Sequence, residues 1–217
     1  GVQAEWVGKR MLHQLGVRTP KGALARSADE VVRIAASVGY PVVMKAQAAA
    51  LAHKSEVGGV LLNIADDDAA RAAWSTLHAN VARSKPGLEL EGVLVEAMGA
   101  PGLELVVGAS RDSQWGPILM VGLGGVWIEA LGDVQLLPPD LPAAAVVERL
   151  RHLKGAKLLD GFRGARAVDT QAVAEVVVTL GRLMQARPDI TEVDINPLVV
   201  YGRGAGVVAL DALVVTR

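Results

Sequence analysis

Apolar residues recur at helical spacing in some stretches of the chain and in short strand-like runs in others. A helix is predicted from about Glu5 to Leu15, with Trp6, Met11, Leu12 and Leu15 inside and Gly16 ending it. Thr19-Pro20 breaks the chain. Ser27-Ala28-Asp29-Glu30 carries the spacing of a capping box, and the helix it opens buries Val31, Ile34, Ala35 and Val38 before Gly39. Tyr40-Pro41 leads into a strand ending at Lys45, and Gly59 to Ile64 reads as another. Asp66-Asp67-Asp68 caps a helix with Ala70, Ala73, Trp74, Leu77 and Val81 on its buried face.

Strands are predicted over Val93–Ala97 and Leu103–Ala109, joined through Gly99-Ala100-Pro101-Gly102, with a turn at Arg111-Asp112. Further strands follow at Ile118–Val121 and Trp127–Leu137 around a flexible Gly122–Gly125 corner. Helices cover roughly Pro142 to His152 and Thr170 to Ala186. The end reads as strand Ile190–Ile195, turn Asn196-Pro197, strand Leu198–Tyr201, turn Gly202–Gly206 and strand Val207–Val215. No regular strand–helix alternation runs through the second half, where strands follow one another directly. The expected class is therefore α+β with antiparallel sheets, not a doubly wound parallel fold.

Composition narrows this picture. The chain has 217 residues, 51% of them hydrophobic, but one Phe and two Tyr, so its core is Val, Leu, Ile and Ala. A net charge of −1 supplies no basic excess for binding nucleic acid. With no cysteine, disulfides, thiolate catalysis and Cys-ligated metals are excluded, which fits a reducing compartment. No apolar run reaches the roughly 18 residues of a membrane span, so a cytoplasmic protein without a membrane partner is expected.

Lys45 closes an apolar strand, where an ammonium is costly unless it meets water or an anion. It reads either as a phosphate contact or as an edge lysine reaching out to solvent. His53 lies in the loop His53-Lys54-Ser55-Glu56-Val57-Gly58-Gly59. A neutral imidazole can carry a phosphoryl group, and the N–H groups of Gly58 and Gly59 could hold its oxygens. Most loop histidines, however, are plain surface residues. Glu96 and Glu104, expected on adjacent strands across a short hairpin, could bind an adenine amino group or ribose hydroxyls, with backbone around Met98 reading the adenine edge. Solvent-facing strand ends explain their spacing equally well.

Asp194 and Asn196 alternate onto one strand face, and a hairpin through Gly202–Gly206 would bring Asp211 beside Asn196. Such hard oxygen donors suit Mg2+, which keeps waters and binds substrate phosphates. The plainer alternative is a hydrogen-bonded Asn-Pro turn. Gly122–Gly125 is followed by no Gly-Lys-Ser/Thr and is not a Walker loop.

Taken in order, GYPVVMK, HKSEVGGV, VLVEAM, GLELVVG, GPILMVGLGGVWIE, LLDGFRG and EVDINPLVV resemble the ATP-grasp domain of NDP-forming acyl-CoA synthetases, relatives of the succinyl-CoA synthetase β subunit. The resemblance runs from Arg18-Thr19-Pro20 to Asp211. It implies a two-lobed fold holding ATP between two antiparallel sheets: a leading helix (1–19), a small lobe (20–95) and a larger lobe (96–217). Lys45 matches the phosphate-binding lysine, Glu96 to Met98 the adenine-contacting hinge and Glu104 the ribose carboxylate. Asn196 and Asp211 match the Mg2+ ligands, with Asp194 beside them. His53 matches a histidine that relays phosphate between nucleotide and the CoA-binding half. Departures are small: Glu56 stands where Asp is commoner, and Ala165 and Ala167 where prolines often occur.

The resemblance further implies an ADP-forming ligase using ATP/ADP and Mg2+. Its main phosphohistidine, CoA site and acyl pocket lie on a partner subunit or on fused domains, and the complete enzyme is expected to be oligomeric. Two other readings remain: a regulatory ATP-grasp module of a synthetase-like protein acetyltransferase, and a carboxylate–amine ligase working without a histidine relay.

Overall fold

The computed structural model describes residues 1–51, 54–125, 132–162 and 164–217. The chain forms two compact units. The first comprises Val2–Arg10 and Pro20–Ala100, and the second Gly1, Met11–Thr19 and Pro101–Arg217. Residues 1–19 are thus shared out: a two-residue strand β1 (Val2–Gln3) precedes helix α1 (Glu5–Gln14), whose first turns belong to one unit and whose end belongs to the other. The passage from first to second unit falls after Ala100.

In the first unit, β2 (Gly22–Ala25), β3 (Val42–Gln47), β4 (Val60–Ile64) and β5 (Gly92–Ala97) form a sheet in the order β2-β5-β3-β4, antiparallel throughout. Helices α2 (Ala28–Val38) and α3 (Asp67–Ser84) cover one face. Each begins where a side chain accepts an otherwise unpaired backbone N–H: Ser27 Oγ takes that of Glu30, and Asp66 that of Ala69. Glu30 accepts the N–H of Arg26 at 2.7 Å, one residue earlier than a standard capping box would have it. Alternation along the strands sends Val42, Met44, Val93 and Val95 to this face, against Val31, Ala35, Ala70, Ala73 and Leu77.

In the second unit, β6 (Leu103–Asp112), β7 (Gly116–Leu123), β8 (Val134–Leu137), β9 (Ile190–Val200), β10 (Val207–Ala209) and β11 (Leu213–Thr216) are likewise antiparallel. Their order is β11-β9-β6-β7-β8, with β10 also on β9. Helices α4 (Ala143–Leu150) and α5 (Thr170–Ala186) share the core with Leu105, Val107, Leu119, Val121, Val193 and Ile195. Val173, Val177, Leu180 and Met184, one helical stripe of α5, are fully buried there.

The α+β class with antiparallel sheets is as expected, and several local expectations are corrected. β2 had no strand signal because its Gly-Ala-Leu-Ala sequence is poor in β-branched residues. Asn196-Pro197 does not divide two strands; β9 runs through it. The valine-rich end breaks at 210–212, so Asp211 lies beyond β10, not within a strand. Arg111-Asp112 belongs to β6, and Asp112 instead accepts the N–H groups of Gln114 and Trp115 in the turn that follows. The expected strand residues 127–131 lie outside the described residues.

Leu180→Ala should lower the unfolding free energy by about 2–5 kcal/mol, since a fully buried leucine is removed from a packed helix–sheet contact. Leu136, which is 66% exposed, should change it by less than about 0.5 kcal/mol when replaced by Ser. Urea denaturation of both variants checks the contrast.

Candidate functional site

Strand β3 is buried along its whole length. Its odd-numbered residues Val43, Lys45 and Gln47 face away from the α2/α3 core, together with Leu94 and Glu96 of β5. The first turns of α1 meet this second face. Lys45 Nζ is 2.7 Å from Glu5 Oε1 and 3.3 Å from Glu96 Oε2. Lys9 Nζ is 2.8 Å from Glu5 and 2.6 Å from Glu96, while Lys54 Nζ is 2.9 Å from the other Glu5 oxygen. Gln47 accepts the N–H of Trp6 at 3.0 Å and donates to the carbonyl of Ala46. As whole residues, Glu5, Lys9, Lys45, Gln47, Lys54 and Glu96 are between 1% and 7% exposed. Gly22, directly opposite Glu96, makes room: a Cβ there would lie 2.2 Å from the Val95 carbonyl and 2.7 Å from Glu96 Cγ.

Among the described residues, the ammonium groups of Lys9, Lys45 and Lys54 meet the carboxylates of Glu5 and Glu96. Burial by itself raises the Glu5 carboxyl, but Lys9, Lys45 and Lys54 together outweigh it and hold Glu5 far below the usual carboxylate range. Lys9 is pushed down, first by burial and next by the ammonium of Lys45, against the pull of Glu5 and Glu96.

The sequence reading anticipated Lys45 but missed Glu5, Lys9, Gln47 and Lys54. Hydropathy marked Trp6 and Met11 as the inner stripe of α1, yet its buried positions are Glu5, Gly8, Lys9 and Leu12. The available signal was the Glu5/Lys9 pair at i, i+4 ahead of a strand with its own unexplained lysine.

Three of the expected first-unit roles change. Glu96 is engaged by Lys9 and Lys45, because alternation turns it to the Lys45 face and away from the strand end. It also shares no hairpin with Glu104: β5 pairs with β2 and β3, whereas β6 pairs with β7 and β9. The N–H groups of Gly58 and Gly59 are already used within the loop, donating to Ser55 and Lys54 carbonyls at 3.2 and 2.7 Å. The diglycine closes a turn and offers no oxygen cradle. Met98 follows β5 directly and is half-buried. His53 lies outside the described residues.

The second unit carries the oxygen donors. From Leu105 to Val107, two residues of β6, the partner positions on β9 move from Leu198 to Ile195, three residues. β9 therefore bulges by one residue at Asn196-Pro197, and the parity of its core-facing side chains switches from Val193 and Ile195 to Leu198 and Val200. On its other side, β9 pairs Ala209 with Leu198 and Leu213 with Asp194, and Leu210 N–H donates to the Pro197 carbonyl. That ladder brings Asp211 opposite Asn196.

Asp194 and Asp211 are close enough to repel. Burial first, then the charges of Glu192 and Asp211, push the Asp194 carboxyl up to about 6. Asp211 Oδ1 accepts the N–H of Ala212 at 2.8 Å. Asp194 lies over Gly108, where even a Cβ would come within 3.7 Å of its Oδ1. Glu104 is exposed on β6, its carbonyl accepting the Gly124 N–H at 2.8 Å, and a Cβ on Gly125 would lie 3.1 Å from Glu104 Oε2. The glycine-rich corner, weak as a motif, thus lets backbone approach Glu104.

Among the described residues no group of three or more His, Cys, Asp or Glu could hold a metal by itself. Two mutually repelling carboxylates and an amide fit an ion that completes its shell with water and phosphate, as Mg2+ does. Likewise, among the described residues, no helix is long and apolar enough to cross a membrane.

Residues 1–216 match the family model described as ATP-grasp domain. The chain belongs to that family. It is 47% identical, over its full length, to a trans-feruloyl-CoA synthase from an unidentified prokaryote, but spans only 31% of that protein. It is 38% identical to the β subunit of ADP-forming acetate–CoA ligase I of Pyrococcus furiosus, covering 94% of this chain and 87% of that one. The solved structure of dinucleotide-forming acetyl-coenzyme A synthetase 1 of Ca. Korarchaeum cryptofilum, in complex with coenzyme A, Ca-AMPCP and HgCl+, superposes with a TM-score of 0.95. It is 35% identical, with 100% of this chain and 93% of that one covered.

Because its carboxyl is raised from the ordinary aspartate value to about 6, Asp194 favours the folded state below pH 4 and loses that contribution as pH rises through 6. Asp194→Asn should therefore stabilise the metal-free chain at pH 7.5 by about 1 kcal/mol after allowance for partial exposure, with the gain vanishing near pH 4. Thermal melts across that range in chelator provide the check.

Proposed function

We propose that this chain is the nucleotide-handling part of an ADP-forming acyl-CoA synthetase. It would exchange a phosphoryl group between a phosphohistidine and ADP/ATP in the presence of Mg2+. The observation that carries the reading is the register on β9, in which Asp211, just beyond β10, falls opposite Asn196 and two residues from the level of Asp194. The relatives' names support the rest: a feruloyl-CoA synthase, an ADP-forming acetate–CoA ligase subunit, and an acetyl-CoA synthetase solved with coenzyme A and a calcium-bound nucleotide analogue.

In this reading Lys45 meets the phosphates, Met98 backbone the adenine and Glu104 the ribose hydroxyls. Glu96 supports Lys45 and does not touch the base. Asn196 and Asp211, with Asp194 beside them, hold Mg2+, which neutralises phosphate charge when bound. His53 takes the phosphoryl group: its bond to the imidazole nitrogen breaks as a bond to the terminal oxygen of ADP forms, and the reverse step recharges the histidine. Such transfer is chiefly positioning and charge neutralisation, the work to which Lys45 and the oxygen donors are suited. The CoA site, the acyl pocket and the main phosphohistidine belong to partner domains, consistent with the small share of the fused synthase that this chain spans.

His53→Ala should abolish ATP-dependent acyl-CoA formation by the complete enzyme while nucleotide affinity stays within about twofold, since no ligand to the phosphates is removed. Phosphorus NMR should find an acid-labile phosphohistidine in the wild-type chain and not in the variant. Full acyl-CoA synthesis by the variant would overturn the relay.

A further inference from the structure

The turn that feeds Asp211 into place is gripped from both sides by residues far from it in sequence. Gly202–Gly206 links β9 to β10, is closed by Ala205 N–H donating to the Gly202 carbonyl at 2.8 Å, and has φ near +80° at both Gly204 and Gly206. Asp169, at the N-terminus of α5, accepts the N–H groups of Gly204 and Gly206 on Oδ2, each at 3.0 Å, and that of Ala172 on Oδ1 at 3.2 Å. Its own N–H donates to the Tyr201 carbonyl at 2.9 Å. From the other side Arg18 donates to the carbonyls of Ala205 at 2.6 Å and Val207 at 3.2 Å. One carboxylate thus collects the donors of the turn and one guanidinium its acceptors.

This matters because β10 is only three residues long and the chain leaves the strand before Asp211. Asp211 therefore lies between two short ladders on β9, the three residues of β10 before it and Leu213 opposite Asp194 after it, and the turn fixes where the first of these starts. Asp211 lies about 16 Å along the chain from Gly206 at strand rise, beyond any direct contact with Asp169.

We propose that Asp169 is a positioning residue for the divalent-cation site. By tying the β9–β10 turn to the start of α5, with Arg18 as counter-grip, it sets the register that holds Asp211 opposite Asn196. The inference rests on the reading of Asp211 and Asn196 as Mg2+ ligands. Its purchase is on metal use, because the turn leads into the segment that carries Asp211.

The test is calorimetric titration of the wild-type chain, Asp169→Ala, Asp169→Asn and Asp211→Ala with ADP across a range of Mg2+, and again in chelator. Asp169→Ala should need about tenfold more Mg2+ for half-maximal nucleotide binding, the size of effect seen when a ligand's supporting partner is removed. Metal-free ADP binding should stay within about twofold. Asp169→Asn, which keeps an acceptor oxygen for part of the grip, should fall between and covers the case in which the alanine variant does not fold. Wild-type Mg2+ dependence in both Asp169 variants, alongside a loss in Asp211→Ala, would overturn the positioning role. An equal loss of affinity with and without metal would overturn it too, marking a purely structural residue. If Asp211→Ala itself keeps wild-type Mg2+ dependence, the metal-site reading fails, and the positioning inference with it.

Discussion

An antiparallel strand that carries one residue more than its neighbour must bulge, and in β9 that extra residue falls at Asn196-Pro197. Before the bulge, alternation keeps Val193 and Ile195 in the core and Asp194 off it. After the bulge, Leu198 and Val200 return to the core. The partner chain on the opposite side leaves its strand at 210–212, level with the same place. A continuous ladder would have filled those positions with paired backbone and packed side chains. The interruption instead leaves Asp211 outside the strands, opposite Asn196.

Both units hold charge that folding alone would not select. Asp194 is held beside Glu192 and Asp211 with its carboxyl raised to about 6, and three lysines are buried around two carboxylates in the first unit. Burying charge, or holding like charges together, costs free energy unless partners offset it. Among the described residues no buried side-chain nitrogen or oxygen lacks a hydrogen-bond partner.

Much of this was legible in the sequence where local rules govern. The caps at Ser27 and Asp66 and the apolar stripe of α5 over Thr170–Ala186 follow from periodicity and short-range hydrogen bonding. What escaped depends on contacts distant in sequence. Glu5 and Lys9 carried no reading in the sequence, because their partners Lys45 and Glu96 on β3 and β5 lie forty or more residues away. The same gap explains Glu96, whose partner is a lysine of α1 and not a nucleotide. Asp169 drew no attention in the sequence, because two of its donors, Gly204 and Gly206, come from a turn about thirty-five residues later. Gly58 and Gly59 had the composition of an anion cradle, but the loop's own carbonyls take their N–H groups.

The central claim is that the interrupted β9 ladder is a divalent-cation site serving a bound nucleotide. Crystals grown with a non-hydrolysable ATP analogue and Mn2+ in place of Mg2+ test it through the anomalous signal of the metal. The prediction is a peak at about 2.0–2.3 Å from side-chain oxygens of Asp211 and Asn196 and from phosphate oxygens of the analogue. Nucleotide bound with the manganese peak elsewhere, and no density joining it to those two residues, would contradict it.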